Sequence, residues 1–302
     1  MSLAISSTMP NQVTVGRRIA GFVALTKPRI IELLLVTTLP TMIVAAHRLP
    51  GIGLMAATLA GGTLAAGGAN AVNMFVDRDI DAVMKRTRNR PLVTGVVSPA
   101  QALVFALLLE AAAFAELWFA VNPLSALLAV SAMLFYVFVY TLWLKRTSSQ
   151  NIVIGGAAGA VPVLVGWAAV RNDIAWAPVV LFVLMFVWTP PHFWALAIRY
   201  RDDYKSVDVP MMPVVTTFKR TAAQILVYTA LVVATSVAFA FTAKMGPLYW
   251  VSAVVLGAVF LGFAFRLWQR PTEALAMKLF HWSITYVTLL FAAMAVDQLI
   301  FH

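Results

Sequence analysis

Long apolar runs alternate with short polar breaks along this chain, and the runs set its architecture. Nine stretches, residues 30–46, 52–76, 100–121, 123–144, 152–170, 175–198, 221–243, 248–268 and 279–301, each come close to the ~20 apolar residues that an α-helix needs to cross a bilayer. Several contain Gly or Pro, which a membrane helix tolerates where neighbouring helices re-satisfy its backbone. The pattern predicts an all-α integral membrane protein, a single bundle of about nine transmembrane helices. Residues 1–29 are expected to be a polar cytoplasmic segment and residues 30–302 one polytopic domain, since no long linker or low-complexity tract divides the runs.

The polar breaks are not equivalent. Six of the twelve acidic residues fall in two of them: Asp77, Asp79 and Asp81 after the second run, Asp202, Asp203 and Asp208 after the sixth. Asn73, Asp77 and Asp81 are spaced four apart, so at 3.6 residues per turn they line one helix face. Asp79 points away from that face and is expected to pair with an arginine. Asp208 lies two residues before Pro210, in backbone biased away from helix, and is expected in a loop. Carboxylates stacked at a membrane edge repel one another and resist desolvation, so they need a cation. A hard, oxygen-seeking ion such as magnesium fits. Both acidic helix ends run into basic loops, Lys85, Arg86, Arg88 and Arg90 in one case and Arg199, Arg201 and Lys205 in the other. This faint internal repeat brings two acidic clusters toward one cavity, with the active site on the cytoplasmic side.

Charge placement tests the helix count. With the N-terminus cytoplasmic, only Arg48, Arg171 and Lys244 of the 22 Lys and Arg residues fall on the far side. That bias satisfies the positive-inside rule and puts both acidic breaks in the cytoplasm. The net charge of +10 therefore needs no nucleic acid to explain it. A composition of 62% hydrophobic and 11% charged residues supports the lipid reading over a soluble one. The first 29 residues lack the apolar core of a secretory signal, and a multi-pass protein of a bacterial inner membrane is expected. The absence of cysteine excludes disulfides, thiolate metal sites, thiol catalysis and covalent c-type haem attachment.

These parts predict handling of a diphosphate. Magnesium held by Asp77, Asp81 and Asp203 would neutralise phosphate oxygens, while Arg and Lys clamp the rest and stabilise charge on the leaving group. The basic candidates are Arg86, Arg90, Lys145, Arg146 and Lys205; arginine suits bidentate phosphate contacts better than lysine. Several of these cations are expected from topology alone. Kept out of water, a prenyl diphosphate would ionise to an allylic cation with its tail lying between helices.

Four strings carry a resemblance that sharpens this. NAVNMFVDRDIDAVMKRTRNRPL at residues 70–92 is similar to the first aspartate motif of the UbiA-type intramembrane prenyltransferases. YTLWLKRTSSQNIVIGGAAGAVPVLVGWAA at 140–169, WTPPHFWALAI at 188–198 and DDYKSVDVPMMPV at 202–214 resemble the branch of that family that farnesylates protohaem IX, as does Lys27-Pro28-Arg29. The resemblance implies magnesium-dependent transfer of a farnesyl group from farnesyl diphosphate to a vinyl group of haem b with addition of water, giving haem O for haem A synthase or terminal oxidase assembly. It assigns catalytic roles to Asn73, Asp77, Asp81 and Asp203. The second motif departs from the wider family in having adjacent Asp202 and Asp203 and then Asp208, which leaves the second metal's ligands open. A haem acceptor needs no strong base to remove a ring proton, and no additional His or Glu stands beside the cluster.

His192, Arg199 and Asp203 share a helix face if the helix continues past Pro190 and Pro191, which makes His192 and Arg199 the candidate haem-binding residues. The bland alternative is a histidine satisfying a carbonyl freed by the prolines. Glu110 and Glu116 are intramembrane carboxylates outside any motif, and Asp297 is expected to cap or pair near the end of the last run. Two other functions compete. A family member acting on an aromatic quinone precursor would share the aspartates and lack the WTPPHFWALAI string at 188–198 and the QNIVIGGAAGA string at 150–160. A secondary transporter would place its charges at the bilayer midplane, whereas here they gather at one interface.

Overall fold

The computed structural model describes residues 14–301, and among them all regular structure is helical. In chain order the helices are α1 (Val15–Thr26), α2 (Pro28–Ala46), α3 (Ile52–Val76), α4 (Arg78–Val83) and α5 (Pro99–Glu116), which runs on through a π turn at Leu117–Val121. Next come α6 (Pro123–Leu134), widened into a π-helix over Phe135–Leu144 and finished by α7 (Lys145–Thr147), then α8 (Asn151–Arg171), α9 (Trp176–Arg199), α10 (Arg201–Lys205) and α11 (Met212–Val215). The chain closes with α12 (Phe218–Thr242), α13 (Pro247–Gln269) and α14 (Glu273–Phe301). Among the described residues eight segments are long and apolar enough to span a membrane, and α2 has a shorter apolar part, Leu35–Ala46, in keeping with about nine. This is the expected bundle.

Two helices begin before their apolar runs, and polar capping explains both. The Thr217 hydroxyl accepts from Arg220 N at 3.2 Å to start α12, and Thr272 does the same for Leu275 N at 3.3 Å ahead of α14. A capping box of Ser98 and Gln101 starts α5. Asp297 caps across the bundle: it is fully buried and accepts from the backbone N–H of Gly246 at 2.6 Å and Tyr249 at 3.0 Å, at the first turn of α13.

Part of the expected N-terminal segment is helical. Residues 15–26 form α1, which buries Gly21 and Leu25 against α3 and the loop at Val96 and Val97. Beyond Arg17 and Arg18 the segment is apolar up to Thr26, and Thr14 caps its start by accepting from Arg17 N. Residues 1–13 lie outside the described part.

Successive long helices pack against one another, and α14 returns to touch α2 and α9, while α2 also packs on α8. The main core lies among α8, α9, α12, α13 and α14. Without a hydrophobic drive in lipid, close approach carries such packing. At Gly166 of α8, an added Cβ would stand 2.7 Å from the Thr38 backbone oxygen of α2. Thus α2, α8 and α9 stand centrally, with α3 and α6 beside them.

Candidate active site

The polar face expected on α3 forms. Asp77 N bonds to Asn73 O and Asp81 N to Asp77 O, each at 2.9 Å, so the four-residue spacing carries on from α3 into α4. Asn73, Asp77 and Asp81 are all buried, at 4%, 0% and 2% exposure, while the intervening Arg78 and Asp79 face outward.

Each buried group is held by residues distant in sequence. Asn73 donates its amide to Asp77 Oδ2 at 2.8 Å and to Thr141 Oγ1 at 3.2 Å, and its Oδ1 accepts from Lys27 Nζ at 2.8 Å. The Thr141 hydroxyl in turn donates to Tyr136 O, five residues back, across the wide π turn. Lys145 donates to Asp77 Oδ2, and Arg90 Nη1 reaches Asp81 Oδ2 at 2.5 Å. Asp77 Oδ1 is buried with no hydrogen-bond partner, 3.8 Å from Arg146. Arg146 makes two bonds of 2.7 Å to Asp79, which hold that carboxyl down at about 2. Lys27 sits at the joint of α1 and α2 with φ 53°; burial first, then the positive charges of Arg90 and Lys145, lower its amine to about 7.

The second acidic cluster meets the loop that follows α4. Asp203 in α10 accepts from the backbone N–H of Lys85 at 3.3 Å and of Arg86 at 3.0 Å, which ties the basic loop to the end of the other half of the bundle. The Arg86 guanidinium stands 5.2 Å from the Tyr200 ring and 6.0 Å from that of Tyr204. Lys205 is exposed, as is Asp208, which sits in the loop with φ 53°. No group of three or more His, Cys, Asp or Glu gathers as a ready metal cage among the described residues.

Below the polar cluster lies an apolar cavity of about 310 Å³. It begins at Asn70, one turn below Asn73, with Tyr136 and Tyr140 on one wall and Thr189 and Phe193 on another. The two tyrosine rings stack 5.4 Å apart. A buried cluster of carboxylates, an amide and cations therefore stands over an apolar slot walled by small residues, which suits a molecule with an anionic head and a hydrocarbon tail.

The UbiA prenyltransferase family model matches residues 34–287. The chain belongs to the UbiA prenyltransferase family. It is 51% identical over 290 residues to a protoheme IX farnesyltransferase of Pseudarthrobacter chlorophenolicus, covering 94% of this chain and 91% of that protein. To one of Streptomyces coelicolor it is 50% identical over 298 residues, covering 97% and 95%. Among solved structures, digeranylgeranylglyceryl phosphate synthase is similar with a TM-score of 0.77 at 16% identity, over 93% of this chain and 99% of that one. A UbiA homolog from Archaeoglobus fulgidus bound to GPP and Mg2+ gives 0.62 at 15% identity, over 91% and 99%. At such identities the structural likeness speaks for the fold alone.

In this UbiA family member the single face expected for His192, Arg199 and Asp203 does not form. Helix α9 does continue through Pro190 and Pro191, but it ends at Arg199, and Asp203 belongs to the separate α10. Arg199 is exposed, 3.8 Å from Glu273. His192 stacks between Trp188 and Phe280, with centroids 4.2 and 4.7 Å away, and its Nδ1 lies 2.7 Å from Ser283 Oγ of α14. It bonds this hydroxyl, not a carbonyl freed by the prolines. Its neighbours Thr189 and Phe193, not His192, line the cavity. Glu110 rests on Gly68 at the α3–α5 contact.

Lys27, Thr141 and Tyr136 were not singled out as site residues by the sequence. Only Lys27 had a signal, a cation directly before Pro28 at the start of an apolar run and within the Lys27-Pro28-Arg29 string.

Proposed function

We propose that the protein transfers the farnesyl group of farnesyl diphosphate to a vinyl group of haem b, with addition of water, to give haem O and diphosphate. The observation that carries this is the junction at Asn70–Asp77, where a buried, cation-rich polar cluster meets an apolar cavity. The near full-length likeness to protoheme IX farnesyltransferases supports the choice of acceptor.

In this reading Lys145, Arg90 and Arg146 exchange carboxylate partners, and Lys27 the amide oxygen of Asn73, for phosphate oxygens, with Arg86 and Lys205 at the rim. Their charges stabilise the electron pair that leaves with diphosphate as the C1–O bond breaks. The apolar walls keep water from the allylic cation, and the stacked Tyr136 and Tyr140 offer it their ring faces. The vinyl's terminal carbon bonds to C1; the cation left beside the porphyrin takes up water, which loses a proton. Asn73, held by three partners, fixes the geometry of Asp77.

A divalent cation fits the residues present, because the buried Asp77 Oδ1 has no partner and carboxylate oxygens are the hard donors it takes. Asp77 and Asp81 would hold it, with Asp203 proposed as the third carboxylate. Magnesium, when bound, would supply neutralisation of the diphosphate charge.

For the acceptor we assign His192 and Arg199. The Ser283 hydroxyl donates to Phe280 O at 2.7 Å, so it accepts from His192 Nδ1–H and leaves Nε2 as the nitrogen able to meet an iron. Arg199 lies seven residues on, ~10 Å along α9 at 1.5 Å per residue, where a propionate carboxylate would find a cation. The protein is a multi-pass membrane protein; a bacterial inner membrane with a cytoplasmic N-terminus follows from the charge bias, and haem A synthase or terminal oxidase assembly is the expected consumer of the product.

The test is turnover of the purified protein in lipid nanodiscs with haem b, farnesyl diphosphate and magnesium. A haem product heavier by one farnesyl group and one water is expected by mass spectrometry. Prenylation of an aromatic quinone precursor with haem b untouched would overturn the assignment.

A further inference from the structure

Four glycines line the apolar cavity, Gly62 on α3 and Gly155, Gly156 and Gly159 on α8. Packing accounts for two. A Cβ at Gly155 would overlap the Tyr140 ring, and one at Gly156 would stand 2.9 Å from Thr189 Cβ. Gly62 and Gly159 are different, because a Cβ at either meets nothing within 4 Å. Close approach does not require glycine there, and glycine is a poor residue for the middle of a helix. What the missing side chains leave is open cavity.

Their depth gives that space a meaning. Gly62 is eleven residues before Asn73, ~16 Å down α3 at 1.5 Å per residue. A farnesyl chain has a dozen main-chain carbons and, with bonds of about 1.5 Å set zigzag, reaches roughly 15 Å. With its diphosphate at Asn73 and Asp77, the last isoprene unit therefore ends beside Gly62. A geranyl chain, one unit shorter, ends about a helical turn higher. Gly159 lies eight residues into α8 from Asn151, whose amide bonds Lys145 O at 3.4 Å at the head end, and so stands ~12 Å down the same cavity. Thr58, one turn beyond Gly62, is 1% exposed and forms the far end of the lining on α3.

We propose that Gly62 and Gly159 set the length of the prenyl donor, the bare backbone at these two positions admitting the third isoprene unit. This rests on the reading that the cavity holds the donor's tail. Both glycines belong to the floor and wall of the tail cavity, away from the groups that meet diphosphate, so filling them acts on chain length and leaves the polar cluster intact.

The experiment uses purified Gly62→Leu and Gly159→Leu proteins with geranyl and farnesyl diphosphates and haem b. The ratio of kcat/KM for farnesyl over geranyl donor is expected to fall at least about tenfold, the size of effect that one or more methylenes produce in an apolar pocket. Calorimetry with the non-hydrolysable farnesyl and geranyl thiolodiphosphates should show the same preference, with affinity for inorganic diphosphate unchanged. A ratio within twofold of wild type in both folded variants overturns the proposal. Where a leucine variant does not fold, Gly62→Ala and Gly159→Ala, each adding one methyl to open space, should shift the ratio about threefold in the same direction. An unmoved ratio there counts equally against it. Wild-type protein that binds both analogues but does not convert haem b fails the functional reading alone, and the calorimetric comparison still decides donor length.

Discussion

At the scale of single residues, the candidate site is a set of buried charges that hold one another. Asp77 is fully buried with Lys145 on one oxygen and no hydrogen bond on the other. Replacing it by Asn keeps the shape and the bond from Asn73 within reach but removes the negative charge. Asp77→Asn is therefore expected to lower kcat/KM by more than about 100-fold, the scale for loss of a charge-stabilising group. The protein should stay helical and monodisperse, and activity near wild type would remove Asp77 from catalysis. Lys27 gives a prediction in pH. Its amine is lowered to about 7 by burial and by Arg90 and Lys145, so at pH 8 it is mostly neutral before binding. A diphosphate beside it favours the charged form, so binding takes up a proton and affinity falls as pH rises above about 7. Calorimetry of a thiolodiphosphate analogue in buffers of different ionisation enthalpy should show uptake approaching one proton at pH 8, and Lys27→Met should abolish it. Uptake unchanged in Lys27→Met would assign the proton to another group.

At the scale of elements, a pattern local to one helix was legible in the sequence and a contact between helices was not. Asn73, Asp77 and Asp81 share a face because 3.6 residues per turn fixes it, and the nine apolar runs mark the spans because hydrocarbon thickness fixes their length. The alignment of His192 with Asp203 fails because nothing in the apolar pattern announces that α9 ends at Arg199 and that the chain turns at Tyr200. Lys27 meets Asn73 across 46 residues, and Thr141 meets it across 68 through a π-helix that hydrophobicity does not encode. The sequence proposes Asp203 as an acid of the site, but its bonds to Lys85 N and Arg86 N, which hold the basic loop, are not written in that pattern. The two roles separate by experiment. If loop positioning matters, Asp203→Ala should speed hydrogen exchange and tryptic cleavage at Lys85, Arg86 and Arg88 and raise KM for farnesyl diphosphate. Asp203→Asn, which keeps an acceptor oxygen, should fall between. Lost activity with unchanged loop protection in both variants would leave metal ligation as the sole role.

At the scale of the whole molecule, the site depends on two halves presenting their polar ends on one side of the membrane. The loop after α4 and the short α10 meet through Asp203, so they share a face of the bundle as a matter of geometry. Which side of the membrane that face meets is set by charge. Only three of the 22 basic residues lie at the opposite ends of the helices: Arg48 and Lys244 in the turns after α2 and α12, and Arg171 as the last residue of α8. Lys and Arg in short loops near helix ends resist translocation, and on that ground we propose that the site side is cytoplasmic. That orientation suits a diphosphate donor, since an anionic diphosphate would otherwise have to cross the bilayer to reach Lys145 and Arg90. Single cysteines make the test clean, because the chain has none of its own. Thr87→Cys and Ser206→Cys should be blocked only by reagents that reach the cytoplasm, and Asp173→Cys by impermeant reagent added outside. Thr87 is buried, at 2% exposure, so Asn89→Cys, exposed in the same loop, serves as its partner measurement. Labelling of the two loops from opposite sides would contradict the Asp203 contacts and the shared site together. Labelling of both from outside would keep the site and invert the orientation.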